Sequence, residues 1–213
     1  DWARKAIGFK KTNYMIVQNR PLSIFYDKRK LTKNVNNQTI KIVTHHWSDN
    51  PKKGFEIYSA FGNKIKNNTK IEFTYIGRYN KDYSNTGISI IEPKNAIELS
   101  ALLPEFDIYL TASQLEAGAN HVLEAIAAGL PIIYRTGGGS ISEYCFDYGV
   151  EFNDMEDLEL ALFSCVDNYN IFKNKIANYT DTLESQVDSY VKIIKNLYEV
   201  NNVNRHWWRQ RIP

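Results

Sequence analysis

The 213-residue sequence has few cysteines, no long apolar run and almost no excess charge of either sign. Its two cysteines, Cys145 and Cys165, are too few for a disulfide framework and lack metal-ligand spacing, which fits a reducing compartment. No apolar run approaches the roughly 18 residues of a membrane span. The net charge of +2 does not indicate a strongly basic nucleic-acid binder, so any anion site must be local.

The composition that remains is that of an ordinary globular protein. Hydrophobic residues make up 43% of the chain and charged residues 23%. The sequence begins with Asp1, and residues 2–9 have the pattern of a helix end with nothing before it. We therefore expect the chain to be an excised piece of a longer protein, with residues needed for activity lying elsewhere.

Short apolar runs alternate with amphipathic stretches along most of the chain. The pattern predicts strands at residues 13–17, 39–45, 70–77, 88–91, 106–111, 132–135 and 149–152. It predicts helices at 54–66, 95–103, 121–128, 157–166 and 181–200, and a further helix beginning at Ser140. Strands separated by helices imply right-handed βαβ units. The predicted fold is therefore α/β, with a doubly wound, Rossmann-like parallel sheet.

The same pattern suggests three segments. Residues 38–180 are predicted to form the Rossmann-like domain, preceded by an interdomain segment at 1–37. Residues 181–213 are predicted to form a C-terminal helix and a basic, aromatic tail. The helix carries an apolar stripe at i, i+3/i+4 spacing, which is expected to pack on the sheet or on a missing domain.

The segment 112–125 has the greatest density of residues suited to chemistry, and it follows a strand and opens a helix. Gly118 allows close approach to the backbone, and the helix start presents amides suited to a phosphate. Glu116 and Glu124 flank this turn, and carboxylates suit sugar hydroxyls because they accept two hydrogen bonds. Either glutamate alone is better explained as a solvated surface residue; the pair around a glycine at a strand end favours a site.

Two further loops follow strands. In the first, Lys53 stands beside Gly54 at a helix start, where a lysine can neutralise a phosphate; a solvated lysine is about as plausible. The adjacent His45 and His46 point to opposite faces of a strand and have no obvious third ligand, so a metal site is rejected. The second loop, Gly137 to Gly139, lets the backbone pass close to a ligand, although a plain flexible turn also explains it.

These residues resemble the carboxyl-terminal, donor-binding half of a GT-B glycosyltransferase, specifically the retaining family-four type. The hallmark is Glu116-x7-Glu124 with Ala125, then Gly129-Leu130-Pro131, a strand, and Gly137-Gly138 with Glu143. The Lys53-Gly54 pair resembles the family's phosphate lysine. The similarity extends to residues 19–25, which resemble an interdomain segment, and to the last helix, which would pack toward a missing amino-terminal domain.

The resemblance implies roles for individual residues. Glu116 is the expected catalytic residue, in contact with the donor sugar's hydroxyls near the reacting carbon, and Glu124 is expected to hold the ribose. Lys53 and the amides near Asn120 are expected to hold the diphosphate, and Ile91 to lie near the base. The full set of expected nucleotide-sugar contacts is Ser48, Lys53, Ile91, Gly118, Ala119, Asn120, His121, Val122, Glu124 and Gly138.

The implied reaction is sugar transfer from a nucleotide-diphosphate sugar with retention of configuration, without a metal or another cofactor. The acceptor, a glycan or lipid-linked molecule, would bind an absent amino-terminal domain. A cytoplasmic location follows, and peripheral membrane contact is compatible with it. The sequence departs from the family in having His46-Trp47-Ser48 where an arginine is usual, and in the segment between the glutamates.

Two other functions remain open. A sugar-nucleotide epimerase or phosphorylase can share the architecture. A non-catalytic module for membranes or nucleic acid is supported only by the tail Arg205-His206-Trp207-Trp208-Arg209-Gln210-Arg211.

Overall fold

In the computed structural model of the chain, residues 16–31 and 39–209 are described, with side chains described as far as residue 199. These residues contain a sheet of six parallel strands in the order β3-β2-β1-β4-β5-β6. The strands are β1 (Ile40–His46), β2 (Ile71–Gly77), β3 (Ser89–Ile91), β4 (Ile108–Thr111), β5 (Ile132–Arg135) and β6 (Gly149–Phe152). The order reverses between β1 and β4, and an open α/β sheet binds its ligands at such a point.

Four helices lie between strands: α1 (Phe55–Ile65), α2 (Ala96–Leu102), α3 (Asn120–Ala127) and α4 (Ser140–Cys145). Three more follow the last strand: α5 (Met155–Asp167), α6 (Tyr169–Ala177) and α7 (Leu183–Arg209). Two of the helix starts have side-chain caps. Asn95 and Glu98 form a reciprocal capping box on α2, and Asp154 accepts two backbone N–H groups at the start of α5.

Two cores lie on opposite faces of the sheet because successive strand residues alternate. In β1, Ile42 belongs to the core that contains Phe55 and Phe73, whereas Val43 belongs to the core that contains Val122 and Ile126. Both faces are therefore buried, which explains the nearly continuous apolar strands of the sequence. The carboxyl ends of β1 and β4 are fixed side by side, since Val43 pairs with Tyr109.

The predicted fold class is confirmed, and all six predicted strands between residues 39 and 152 are present. One helix, α6, was not predicted. Its buried Lys173 interrupts the apolar pattern, and the ammonium donates to the backbone carbonyl of Gly129 at 2.6 Å. The predicted helix end at 2–9 lies outside the described residues. Of the predicted strand at 13–17, only Ile16 and Val17 are described, and neither is in a strand.

Asn19–Glu184 form one compact unit, and α7 from Ser185 onward belongs to a second one. The division into 1–37, 38–180 and 181–213 stays a prediction. The apolar stripe of the last helix is exposed, with exposed fractions from 37% at Leu183 to 69% at Tyr198. Within the described part of the chain, no helix is both long enough and apolar enough to cross a bilayer.

Candidate functional site

A cleft of about 350 Å³ opens at the carboxyl ends of the strands where the sheet order reverses. One wall is formed by the end of β1 and the loop after it, from His45 to Lys53. The opposite wall is the first part of α3, which follows β4. The end of β2 and the segment from Pro93 to Leu99, after β3, close the third side. The cleft therefore lies where a doubly wound sheet is expected to bind its ligand.

Glu116 lies beside this cleft in the loop after β4, and it forms an ion pair with Lys53, which lines the cleft. The same carboxylate oxygen, Oε1, accepts a hydrogen bond of 2.6 Å from the Ser113 hydroxyl. The side chains of Lys53 and Glu116 are 22% and 17% exposed. Because both side chains are largely shielded from water, their attraction is strong and holds the pair in one geometry, and Lys53 still lines the cleft.

The backbone of Glu116 is fixed to the glycine loop after β5. Its N–H donates to the carbonyl of Gly138 at 3.1 Å, and its carbonyl accepts the N–H of Ser140 at 2.9 Å. Gly139 has a φ of +71°, and a Cβ atom there would lie 2.4 Å from the Glu116 carbonyl oxygen. Only glycine permits this approach. The neighbouring Leu115 has a φ of +58°, a strained conformation for a non-glycine residue.

The position of Lys53 follows from the turn that begins α1. Asn50 caps a short 3₁₀ helix, Pro51–Lys53, by accepting the N–H of Lys52 at 2.9 Å. Gly54 follows with a φ of +92°, and a Cβ atom there would lie 2.4 Å from the Cβ of Ala112. The glycine thus lets the turn after β1 approach the end of β4, which brings Lys53 to Glu116.

Glu124 projects from the second turn of α3 toward β1. Its Oε2 lies 2.8 Å from Nε2 of His45, and the two side chains are 22% and 8% exposed. The Glu124 side chain also lines the cleft. The two glutamates of the sequence motif thus each contact a nitrogen-bearing side chain that comes from β1 or from the loop after it.

His46 lies on the other face of β1, against a buried tyrosine. Nε2 of His46 is 2.9 Å from the hydroxyl of Tyr58, which also accepts the N–H of Ala112 at 3.0 Å. Burial raises the pKa of Tyr58 to about 12, so the phenol keeps its proton. Burial, followed by the nearby His121, His45 and Lys53, lowers the pKa of His46 well below its usual value. His46 and Tyr58 are therefore both neutral, and they share a hydrogen bond between Nε2 and the phenol oxygen.

His121, in the first turn of α3, completes a group of three imidazoles at the base of the cleft. Its ring centroid lies 4.9 Å from that of His46 and 6.4 Å from that of His45, and Nε2 lies 3.1 Å from the Thr111 hydroxyl. Burial lowers its pKa well below the usual value, and His45 and Lys53 add to the effect. In the described residues, no group of three or more His, Cys, Asp or Glu side chains is arranged to hold a metal ion.

The helix start between the glutamates differs from the expected row of unpaired amides. The N–H of Ala119 donates to the Ser140 hydroxyl at 3.2 Å. The N–H groups of Asn120 and Val122 donate to the carbonyls of Gly118 and Ala119. The reason is local: the turn folds back on itself and onto the serine of the neighbouring loop. An anion would have to compete with these bonds.

The structure brings half of the predicted contacts to the cleft itself. Ser48, Lys53, Asn120, His121 and Glu124 line it. The other predicted residues lie around it. Glu116 contacts Lys53, and Gly138 accepts a hydrogen bond from the Glu116 N–H. Ala119 and Val122 are buried and offer only backbone groups, and Ile91 is half-buried at the end of β3. At Gly118 the close neighbour is Asn19, whose side chain donates to Asn120 at 3.0 Å.

Three of the cleft residues that were not among the predicted contacts carry groups suited to binding: His45, Trp47 and Lys94. His45 was considered only as a metal ligand, although its place at the end of a buried strand beside the switch point was a usable signal. Trp47 lines the cleft with a ring that is 64% exposed, and Arg78 lies over it at 4.6 Å. Lys94 lines the cleft after β3 and pairs with Glu98 at 3.1 Å.

No protein-family model matches this sequence, and no curated protein matches it. The fold, however, is similar to solved structures. A glycosyltransferase from Rickettsia africae ESF-5 matches at a TM-score of 0.72 and 13% identity over 92% of this chain. Sucrose-phosphate synthase from Thermosynechococcus elongatus matches at 0.66 and 12% over 93%. The pneumococcal O-GlcNAc transferase GtfA, solved with UDP and GlcNAc, matches at 0.56 and 16% over 80%.

The fold is that of the GT-B glycosyltransferases. The fold expected from the sequence motif is therefore confirmed. The chain spans 60%, 56% and 38% of those three structures, so it accounts for only part of the length of each GT-B chain. The basic, aromatic tail lies outside the residues whose side chains are described.

Proposed function

We propose that this chain is the donor-binding part of a retaining glycosyltransferase and that its cleft binds a nucleotide-diphosphate sugar. The observation that carries the proposal is the pairing of the two glutamates. Glu116 contacts Lys53, Glu124 contacts His45, and both pairs lie at the reversal point of a sheet with a GT-B fold. The ligand class follows from a lysine for the diphosphate and carboxylates for hydroxyl groups.

In this proposal Lys53 binds the diphosphate, and Glu124 accepts a hydrogen bond from the ribose. Glu116 contacts the sugar hydroxyls near the reacting carbon. The bond between that carbon and the diphosphate oxygen breaks, and a new bond to an acceptor hydroxyl oxygen forms on the same face of the sugar. The proton of that hydroxyl passes to the leaving diphosphate oxygen. Lys53 stabilises the negative charge that develops on the leaving diphosphate, so we propose no metal in the reaction.

Because this sequence lacks the usual arginine, we expect another residue to provide the second cation for the diphosphate. Lys94 is the candidate, because it lines the cleft from the end of β3 and its side chain is 33% exposed. Its partner Glu98 is on the surface, so this ion pair is weak and a diphosphate can replace it. Trp47, in the loop after β1, also lines the cleft with an exposed ring suited to stacking on a base or a sugar.

The acceptor, a glycan or lipid-linked molecule, is proposed to bind a part of the protein beyond this chain, since the chain spans 38–60% of the structures it matches. A cytoplasmic location, with peripheral contact to the membrane, belongs to the same proposal. The isolated chain is therefore expected to bind a nucleotide sugar and to transfer it slowly or not at all. Robust turnover by the isolated chain would contradict this division of labour.

Calorimetry with UDP-, GDP- and dTDP-sugars tests the donor site. The chain is expected to bind at least one of them, with UDP-GlcNAc the first probe because GtfA was solved with UDP and GlcNAc. Glu124→Gln is expected to weaken nucleotide binding about tenfold, because it replaces a charged acceptor by a neutral one. Glu72→Gln, on an exposed position of β2, is the matched control and should bind like the parent. Equal binding by parent and Glu124→Gln would refute the assignment.

A further inference from the structure

We infer that His45 is a positioning residue for the donor site: it donates Nε2–H to Oε2 of Glu124 and so directs the other carboxylate oxygen to the ribose. This inference rests on the proposed function. It concerns a residue whose side chain is only 8% exposed and which acts through Glu124. The inference rests on three geometric observations: the His45 ring is buried, the Glu124 carboxylate beside it is partly buried, and Nδ1 of His45 has no hydrogen-bond partner in the described residues.

The first step is the hydrogen bond. Nε2 of His45 lies 2.8 Å from Oε2 of Glu124, a distance typical of a charge-assisted bond to a carboxylate. A carboxylate has no proton to donate, so the proton of this bond is on Nε2. The His45 ring is fixed further by Tyr109, whose ring lies edge-on at 5.4 Å between centroids and whose hydroxyl accepts the His45 backbone N–H at 3.1 Å.

The second step concerns the other ring nitrogen. Nδ1 of His45 is buried and has no hydrogen-bond partner within the described part of the chain. A proton on Nδ1 would be a donor without an acceptor, at a full desolvation cost. The tautomer with its proton on Nε2 leaves only an unused acceptor there. The structure thus selects one tautomer, which is the tautomer that donates to Glu124.

The third step is the effect on Glu124. A glutamate one turn into a helix has several rotamers, and an unpaired one would lose entropy when it binds a ligand. His45 holds Oε2, so Oε1 is the oxygen that a ligand in the cleft meets. The hydrogen bond to Oε2 leaves Oε1 free as an acceptor for a ribose hydroxyl.

The test compares ribose recognition in three forms of the chain. The parent is titrated by calorimetry with UDP and GDP, and the tighter of the two is compared with its 2′,3′-dideoxy analogue. His45→Phe keeps the ring volume and removes the donor. His45→Gln places an amide N–H as many bonds from Cβ as Nε2 is. His206→Phe, in the tail, is the matched control for the loss of a histidine.

The parent is expected to bind the ribose form about tenfold more tightly than the dideoxy form. This ratio should fall close to one in His45→Phe, return in His45→Gln, and stay unchanged in His206→Phe. A merely structural role would weaken both nucleotides equally and leave the ratio as it was. The inference would be overturned if His45→Phe kept the parent's preference for the ribose nucleotide over the dideoxy nucleotide, or if His45→Gln lost it.

The proposed donor site and the positioning role of His45 would be contradicted by different results. If neither UDP nor GDP nor their sugars bind the parent, the donor site itself is wrong and His45 has nothing to position. If His45→Phe does not fold, the tautomer is still measurable in the parent by ¹⁵N NMR of the imidazole. A proton on Nε2 supports the inference, and a neutral ring with its proton on Nδ1 overturns it.

Discussion

The two ends of the cleft hold their glutamates in different ways. At the loop end, Glu116 contacts a charged lysine, on a backbone strained at Leu115 and tied to the glycine loop. At the helix end, Glu124 contacts an imidazole on a regular helix. In the proposed donor site the loop-end pair contains the cation that would bind the diphosphate, so the diphosphate would compete with Glu116 for Lys53. The helix-end pair leaves one carboxylate oxygen open, so a ligand can bind without breaking it.

The largest effect is expected from removing the cation of the loop end. Lys53→Met should weaken UDP binding about a hundredfold, because two charge-assisted bonds to phosphate oxygens are lost at a partly buried position. UMP, with one phosphate fewer, should lose less affinity than UDP. Calorimetric titration of both nucleotides measures the difference.

Lys52→Met provides the matched control for that change. Lys52 is the preceding residue, is exposed, and contributes its backbone carbonyl to Gln114 at 2.9 Å. Its substitution should leave UDP binding within about twofold of the parent, as expected of a surface charge. If the two lysine variants lose affinity equally, the loop end has no specific phosphate cation and the comparison of the two ends fails.

The sequence predicted the positions of the elements better than the partners of the side chains. The strand ends, the glycine turn at Gly54 and the helix start near Asn120 follow from local patterns, which depend on neighbours a few residues away. The contacts of Glu116 with Lys53 and of Glu124 with His45 join residues 63 and 79 positions apart. Such contacts depend on the strand order and on the register of β1 with β4, which no local pattern encodes.

The same distinction explains what was missed. His45 was evaluated only against its neighbour His46, and the ring on the opposite wall, His121, comes from α3. The ammonium of the buried Lys173 of α6 donates a hydrogen bond to the carbonyl of Gly129, in the turn after α3. A buried polar side chain is recognisable only when its partner is known.

The second prediction tests the imidazoles near the helix end by acid titration. The pKa values of His46 and His121 are lowered in the folded protein, chiefly by burial. Below the unfolded-state pKa of about 6.5, the unfolded chain binds protons that the folded chain does not. The free energy of unfolding therefore has its full value above that pH. It falls as the pH drops below that value, by about 1.4 kcal/mol per pH unit for each histidine.

Urea unfolding at a series of pH values between 7 and 5 measures that slope. The groups that face these two rings are Lys53, His45, Thr111, Tyr58 and Tyr75. His121→Gln should reduce the slope by about half, since one of the two histidines no longer titrates. His206→Gln, in the tail, is the control. An unchanged slope in His121→Gln would show that the acid sensitivity originates elsewhere.

The smallest effect is expected from Glu116→Gln, and it is a gain in UDP affinity rather than a loss. The neutral amide no longer competes with a diphosphate for Lys53, so bare UDP should bind about threefold more tightly. The discrimination among UDP-sugars should decline, because an amide accepts fewer hydrogen bonds from hydroxyls than a carboxylate does. Calorimetry with UDP and two UDP-sugars measures both effects, with Glu72→Gln as the control. Weaker binding of bare UDP by Glu116→Gln would mean that Glu116 does not compete for the lysine, and the two ends of the cleft would then work in the same way.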